Sequence, residues 1–314
     1  MPIHVRVGRV AFAHMPAPVI RADRLSKDYG GDRGVADLTF EVEEGEVFGY
    51  LGPNGAGKTT TIRLLLDLIR PTAGHVELFG LDVRRDGAEA RTRVGYLPGD
   101  LRLYERLTAR EHLRYFASLR GMDDLGDGER LATRLDLELD RPIRALSKGN
   151  RQKVGLVQSL MHRPALVVFD EPTAGLDPLV QQVVYELVRE TTADGRSVFV
   201  SSHVLSEVQR IADRVALIRD GRLELVDTVE TIRQRALTHV EVTFVTPPPG
   251  GAFDGVPGVH ELERHGPVVR LTLEGSADHL VKALARFEVR ALDSHEADLE
   301  DVFLELYRRP ANAR

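Results

Sequence analysis

The sequence predicts an α/β fold organised around one phosphate-binding loop, with an antiparallel β subdomain, a helical subdomain and a small C-terminal α+β domain. Three observations carry that expectation. Gly52-Pro53-Asn54-Gly55-Ala56-Gly57-Lys58-Thr59 fits the pattern G-x-x-x-x-G-K-[ST]. An apolar run from Ala165 to Phe169 ends in the carboxylates Asp170 and Glu171. From about residue 228 the chain changes character: alternating segments surround the break Pro247-Pro248-Pro249-Gly250-Gly251.

Residues 1–17 read as a flexible lead. Arg6, Arg9 and the short run Val10 to Ala13 are too little for a secretion signal, and Met15 offers a second start. Ile20 to Tyr29 and Val35 to Val42 alternate apolar and polar residues, the period of half-exposed strands. Glu43 to Glu46 is a turn, and Val47 to Leu51 reads as a buried strand. Behind the glycine loop, Ile62, Leu65, Leu66 and Ile69 recur at helical spacing. The loop therefore joins a strand to a helix, the context that its motif requires. Val76 to Gly80 and Val94 to Pro98 are further short strands.

Between about 99 and 163 the period turns helical. Thr108-Ala109-Arg110-Glu111 is a capping box leading into Leu113, Phe116, Ala117 and Arg120. Further helices are expected near Glu129 to Leu135 and from about Asn150 to Met161. Ala165 to Phe169 and Val198 to Ser201 are apolar strands, separated by a long helix after Pro178, a residue suited to a first helical turn. Val215 to Ile218 and Leu223 to Val226 flank the hairpin signal Asp220-Gly221. In the tail, Val240 to Phe244 and Val268 to Leu273 alternate. Leu280, Leu284 and Phe287 mark a short helix there, and Leu299, Val302, Phe303 and Leu306 a last one. The expected divisions are 1–17, 18–227 and 228–314.

Composition removes several classes. The 314 residues are 42% hydrophobic and 29% charged, the balance of a soluble globular protein. A net charge of −6 gives no basic excess to attract nucleic acid. Cysteine is absent, and with it disulfides, thiolate metal sites and cysteine nucleophiles. No apolar run approaches the roughly 20 residues of a membrane span, so a cytosolic location is expected.

The chemistry starts at the glycine loop. Such a loop lets successive backbone N–H groups face one anion, and the helix start behind it adds free donors and a positive dipole end. Lys58 reaches the β- and γ-phosphates, and Thr59 offers a hydroxyl to Mg2+. Only five of the 42 basic residues are lysine, so the ammonium at 58 points to a place where a guanidinium would not serve. Asp170 and Glu171 lie where a parallel sheet gathers ligands, beyond the carboxyl end of a strand. There Asp170 suits Mg2+, and Glu171 suits accepting a proton from attacking water. An acidic pair that only caps a helix is the plainer reading, and the neighbouring phosphate loop outweighs it. Ser147-Lys148-Gly149-Asn150 opens another helix, either as an ordinary N-cap or as a second anion site.

Together these residues resemble the ATPase subunits of ATP-binding cassette (ABC) transporters over roughly residues 19–226, with the motifs in the family's order. Gly52 to Thr59 matches Walker A and Val167 to Glu171 matches Walker B. Leu146-Ser147-Lys148-Gly149-Asn150 looks like the signature LSGGQ, departing from it at Lys148 and Asn150. Asp177 in Ala174-Gly175-Leu176-Asp177 matches the D-loop, and His203 in Ser201-Ser202-His203 the switch histidine. Tyr29 matches the adenine-stacking aromatic. The signature is what sets this family apart from other P-loop NTPases.

The resemblance implies a P-loop NTPase core that binds ATP and Mg2+. Gly52 to Thr60 would hold the phosphates, with Lys58 among them. Thr59 and Asp170 would hold the metal, Glu171 would polarise water and His203 would orient it. It also implies an ATP-dependent homodimer in which Ser147, Gly149 and Asn150 complete the partner's site and Asp177 links the two. Transport would then belong to separate transmembrane permease subunits, met by the region after about 99, with the chain peripheral on the inner face of the membrane. Taken singly, Tyr29 also reads as a tyrosine packed at a strand end, and His203 as a polar cap. One departure stands out: the family usually has a Gln after Tyr-x-Pro that contacts Mg2+ and senses the membrane subunit, whereas Tyr96-Leu97-Pro98 precedes Gly99-Asp100. Asp100 is the candidate substitute as metal ligand.

The tail, closing in Asp298-Leu299-Glu300-Asp301-Val302-Phe303, is similar to accessory domains on ATPases of bacterial drug and antibiotic exporters, so an exporter is expected ahead of an importer. A non-transport ABC ATPase acting on ribosomes or DNA is the other class. Those on ribosomes usually carry two cassettes and those on DNA a long coiled-coil insertion, and neither is seen. A kinase or GTPase on the same loop has no reason to contain the signature and switch histidine.

Overall fold

The computed structural model describes residues 18–31, 34–235 and 238–295. The expected N-terminal lead and the closing helix around Leu299 to Leu306 lie outside them. In chain order the elements are β1 (Ile20–Asp28), β2 (Gly34–Val42), β3 (Val47–Leu51), α1 (Lys58–Leu65), β4 (Ala73–Leu78), β5 (Leu81–Asp82), α2 (Gly87–Thr92) and β6 (Val94–Leu97). Next come α3 (Ala109–Leu119), α4 (Gly128–Arg134), α5 (Lys148–Leu160), β7 (Leu166–Asp170), α6 (Pro178–Ala193) and β8 (Ser197–Ser202). Then follow α7 (Leu205–Ile211), β9 (Arg214–Arg219), β10 (Arg222–Thr228) and α8 (Val229–Arg235). The tail holds β11 (Thr238–Phe244), β12 (Val259–His265), β13 (Val268–Leu273), α9 (Asp278–Leu284) and β14 (Val289–His295).

The central sheet has the order β10-β9-β3-β8-β7-β6. Five of its strands run parallel, and β10 folds back antiparallel through the Asp220-Gly221 hairpin. Both hairpin residues have positive φ, 48° and 74°, as a two-residue turn matched to strand twist requires. A second sheet, β2-β1-β4-β5, is antiparallel throughout.

Strand alternation explains how the layers assemble. On β3, Phe48 and Tyr50 turn toward the antiparallel sheet, while Val47 turns to the helical side. On β7, Leu166 and Val168 share the first cluster, and Val167 and Phe169 the second. The first core is stapled by Phe40, Phe48, Tyr50 and Phe199, with ring centroids 5.3–6.3 Å apart among the Phe40–Phe199, Phe40–Phe48 and Tyr50–Phe199 pairs. The second packs β7 and β8 against Leu113, Leu156 and Leu187 of α3, α5 and α6. Covered on both faces, these strands are apolar along their centres, Leu166 to Phe169 and Val198 to Val200, and polar only at their ends.

The helical region begins with the expected capping box: Thr108 accepts from the Glu111 amide at 3.2 Å, and Glu111 accepts from the Thr108 amide at 2.8 Å. Val229 and Ile232 of α8 are buried with Leu51, Val208 and Leu217, so α8 packs beside the central sheet. The tail is α+β, with sheet order β12-β13-β11-β14 and a core of Val242, Phe244, Phe253, Leu271 and Leu284.

Candidate nucleotide site

Four neighbouring parallel strands deliver the site. The loops after β3, β8, β7 and β6 leave the same edge of the sheet, where an open α/β sheet binds its ligands. They line a cleft of about 1230 Å3, roomier than the roughly 300–1,000 Å3 of a drug-sized pocket. Tyr29 and the β9–β10 hairpin border one part, and Gly99, Glu171 and His203 another.

The glycine loop is shaped by close packing. A Cβ on Gly52 would lie 2.3 Å from the Ile218 carbonyl oxygen, and one on Gly57 2.6 Å from the Val35 side chain. Gly57 has φ 110° and Gly55 φ 84°, a region open to glycine. Ala56 is buried beneath the loop and accepts the Gly221 amide at 3.0 Å, so Gly52 and Ala56 form the loop from below. Pro53, Asn54, Gly55, Gly57, Lys58, Thr59 and Thr60 face the cleft. Helix α1 starts without a side-chain cap, and among the described residues no backbone acceptor meets the amides of Lys58, Thr59 or Thr60. Free donors at a helix start are an anion site.

Lys58 is 6% exposed and donates to the carbonyls of Gly52 at 2.7 Å and Pro53 at 3.2 Å. Its ammonium also stands 3.2 Å from Glu171 Oε1. The other Glu171 oxygen, Oε2, lies 2.7 Å from His203 Nδ1, a distance at which the protonated ring nitrogen donates to the carboxylate. Glu171 holds this place with φ 56°, a left-handed conformation that costs a non-glycine residue about 1–3 kcal/mol. Gln152 of α5 steadies it by donating to the carbonyls of Glu171 at 3.2 Å and Pro172 at 3.1 Å. Asp170 is 1% exposed and accepts from Thr59 at 2.8 Å and Ser201 at 2.6 Å. Nearby, burial and then the Asp170 charge push the Tyr96 phenol up to about 12.

These residues fit ATP and Mg2+. The uncapped helix start and buried ammonium supply phosphate donors, and the Thr59 hydroxyl beside the Asp170 carboxylate supplies the hard oxygens Mg2+ prefers. Tyr29 is 53% exposed beside the cleft, with the Lys27 ammonium 5.2 Å from its ring centre.

Asp100 does not join them. Its carboxylate is 69% exposed and pairs with Arg102 at 3.2 Å, while Gly99 is the residue that borders the cleft. Gly99 takes the place beside Asp170, where a Cβ would lie 3.1 Å from Asp170 Oδ2. Ser147, Gly149, Asn150 and Asp177 stand outside the cleft of their own chain. Ser147 caps α5 by accepting the Asn150 amide at 3.1 Å, and Asp177 caps α6 by accepting from Leu179 and Val180 at 3.1 and 3.0 Å. A Cβ on Gly149 would meet the Gly175 carbonyl at 2.9 Å, so the signature turn packs directly on the D-loop.

A strand–loop–helix phosphate site after β3, with an acidic pair at the end of β7 one strand removed across β8, defines a P-loop nucleotide-binding ATPase. A family model described as ABC transporter matches residues 35–174. The bacitracin transport ATP-binding protein BcrA of Bacillus licheniformis is 36% identical over 229 residues, 71% of this chain and 74% of that protein. The Nod factor export ATP-binding protein I of Paraburkholderia xenovorans (strain LB400) is 32% identical over 301 residues, 94% of this chain and 99% of that one. Among solved structures, an ATP-binding subunit of an ABC transporter is 32% identical with a TM-score of 0.64, over 69% of this chain and 92% of that chain. The chain belongs to the ABC transporter family, as one of its ATP-binding subunits, a class of ATPases.

Proposed function

We propose that this subunit hydrolyses Mg2+-ATP to energise export through separate membrane-embedded partners, with a drug or antibiotic as cargo. The observation that carries the hydrolytic part is the convergence of Lys58, Thr59, Asp170, Glu171 and His203 from three adjacent strand ends. Lys58 and the amides of the loop bind the phosphates. Bound Mg2+ would neutralise phosphate charge, held by Thr59 and Asp170. Glu171 takes the proton of the attacking water, and His203, through Nδ1, fixes the orientation of that carboxylate.

Two copies facing head to tail would bring Ser147, Gly149 and Asn150 of one to the nucleotide of the other, with Asp177 between the sites. Their exclusion from the chain's own cleft supports this reading. Export is supported by what the relatives' names say of those proteins, bacitracin transport and Nod factor export. Among the described residues no helix is long and apolar enough to cross a membrane, in keeping with a transport path in other chains. The peripheral position at the cytoplasmic face of the membrane belongs to the same proposal.

The test is pull-down of tagged Glu171→Gln protein from detergent-solubilised native membranes with ATP and Mg2+, read by mass spectrometry. A multi-span membrane protein in stoichiometric amount is expected. Ribosomal or DNA-bound proteins without one would contradict the transport reading.

A further inference from the structure

Glu171 and His203 each sit one residue past the end of a strand, since β7 stops at Asp170 and β8 at Ser202. The sheet ladder therefore does not fix them relative to each other, apart from the Glu171 amide donating to the Ser201 carbonyl at 3.2 Å. A third acidic residue spans the gap. Glu207, in the first turn of α7, accepts through the single oxygen Oε2 from Thr173 Oγ1 at 2.8 Å and from Ser202 Oγ at 3.0 Å. Thr173 lies just beyond Glu171, and Ser202 directly precedes His203. Both donors are buried, at 6% and 1% exposure, so the carboxylate satisfies hydroxyls that have little access to water. Ser202 Oγ in turn accepts the Val204 amide at 3.0 Å, closing the turn around His203. Burial, then the nearby Glu207 charge, raise the Tyr185 phenol of α6 to about 12.

We propose that Glu207 is a positioning residue of the hydrolytic site, tying the loop of Glu171 to the loop of His203 through Thr173 and Ser202. It does not line the cleft, so its effect passes through the 2.7 Å contact between His203 and Glu171. Misplacing a reacting group by about 1 Å costs on the order of 10²-fold in rate, which is the scale at stake when this tether is cut. The inference rests on the hydrolytic reading of the cleft.

The test measures single-turnover hydrolysis, ATP affinity and thermal melting for Glu207→Ala and Glu207→Gln, in the wild-type and His203→Ala backgrounds. Glu207→Ala is expected to slow turnover about 10- to 100-fold while ATP affinity stays within about twofold. Glu207→Gln keeps an amide oxygen for the hydroxyls and retains most of the rate. In the His203→Ala background the Glu207→Ala loss shrinks below about threefold, because the two changes disable one arrangement. An unchanged rate, an equal loss in both backgrounds, or a loss that tracks ATP affinity would overturn the proposal. Should Glu207→Ala lose its cooperative melting transition, Thr173→Val removes one donor alone and carries the same expectation at about threefold, an unchanged rate again overturning it. Glu171→Gln is run alongside. If it is slow while Glu207→Ala is not, the cleft reading stands and this one falls; if it hydrolyses normally, both fall.

Discussion

His203 Nδ1 stands 2.7 Å from Glu171 Oε2, although the two residues are 32 positions apart and leave the ends of different strands. With Lys58 on the other carboxylate oxygen at 3.2 Å, Glu171 is held from both sides in a left-handed backbone conformation. Removing the imidazole frees one side only. His203→Ala is expected to slow hydrolysis about 10²-fold while leaving ATP affinity nearly unchanged. Parallel measurement of kcat and nucleotide affinity checks this, and a loss confined to affinity would place His203 in binding.

Gly99 tests how the metal side is built. Its missing side chain lets the segment after β6 approach Asp170, and a Cβ would stand 3.1 Å from the carboxylate that also accepts from Thr59. Gly99→Val, which adds bulk without a metal-binding group, is therefore expected to displace Asp170 and raise the Mg2+ concentration for half-maximal turnover several-fold. Asp100→Ala, which removes an exposed partner of Arg102, should leave that concentration unchanged. A Mg2+ titration of both variants separates the two positions.

Tyr29 offers an exposed ring at the edge of the cleft. Stacking on a base contributes about 1–3 kcal/mol, so Tyr29→Ala should weaken ATP binding by roughly 5- to 150-fold, and Tyr29→Phe by little. Equilibrium titration with a fluorescent ATP analogue measures it. Equal affinity in Tyr29→Ala would return the ring to a packing role.

His162 contributes to acid stability, because its pKa is lowered to about 4 by burial first and then by the Arg120 charge. The folded protein keeps this imidazole neutral, while the unfolded chain protonates it near 6.5. The contribution is thus fully present above about 6.5 and is lost as pH falls toward 4. Melting temperature should drop across that window, and His162→Gln, which cannot titrate, should flatten the drop.

Much of this fold was legible because its strands are short, apolar and covered on both faces. Val47 to Leu51 and Leu166 to Asp170 announce themselves by composition. The hairpin at Asp220-Gly221 and the cap at Thr108 follow from local chemistry. What stayed hidden depends on tertiary contact. Strand β12 exposes almost all of its residues after Val259 and is held by backbone pairing to β13, so it shows no alternation. Helix α2 buries only Gly87 and Ala90, too little for an apolar stripe. The Walker residues were readable as a motif, whereas Gln152 and Glu207 reach the loop of Glu171 through Glu171, Pro172 and Thr173, 19 to 34 positions away. Asp100 shows the reverse: a suitable residue type next to the site, whose carboxylate is exposed and paired with Arg102.

The central claim is that Glu171 activates water for ATP hydrolysis, and Glu171→Gln tests it most directly. The substitution keeps the shape, and it removes the proton acceptor and the ion pair with Lys58. Phosphate release from ATP and Mg2+ should fall about 10²- to 10⁴-fold, with ATP affinity equal to or tighter than that of the wild type. Hydrolysis at the wild-type rate with normal binding would contradict the account and remove Glu171 from the chemistry.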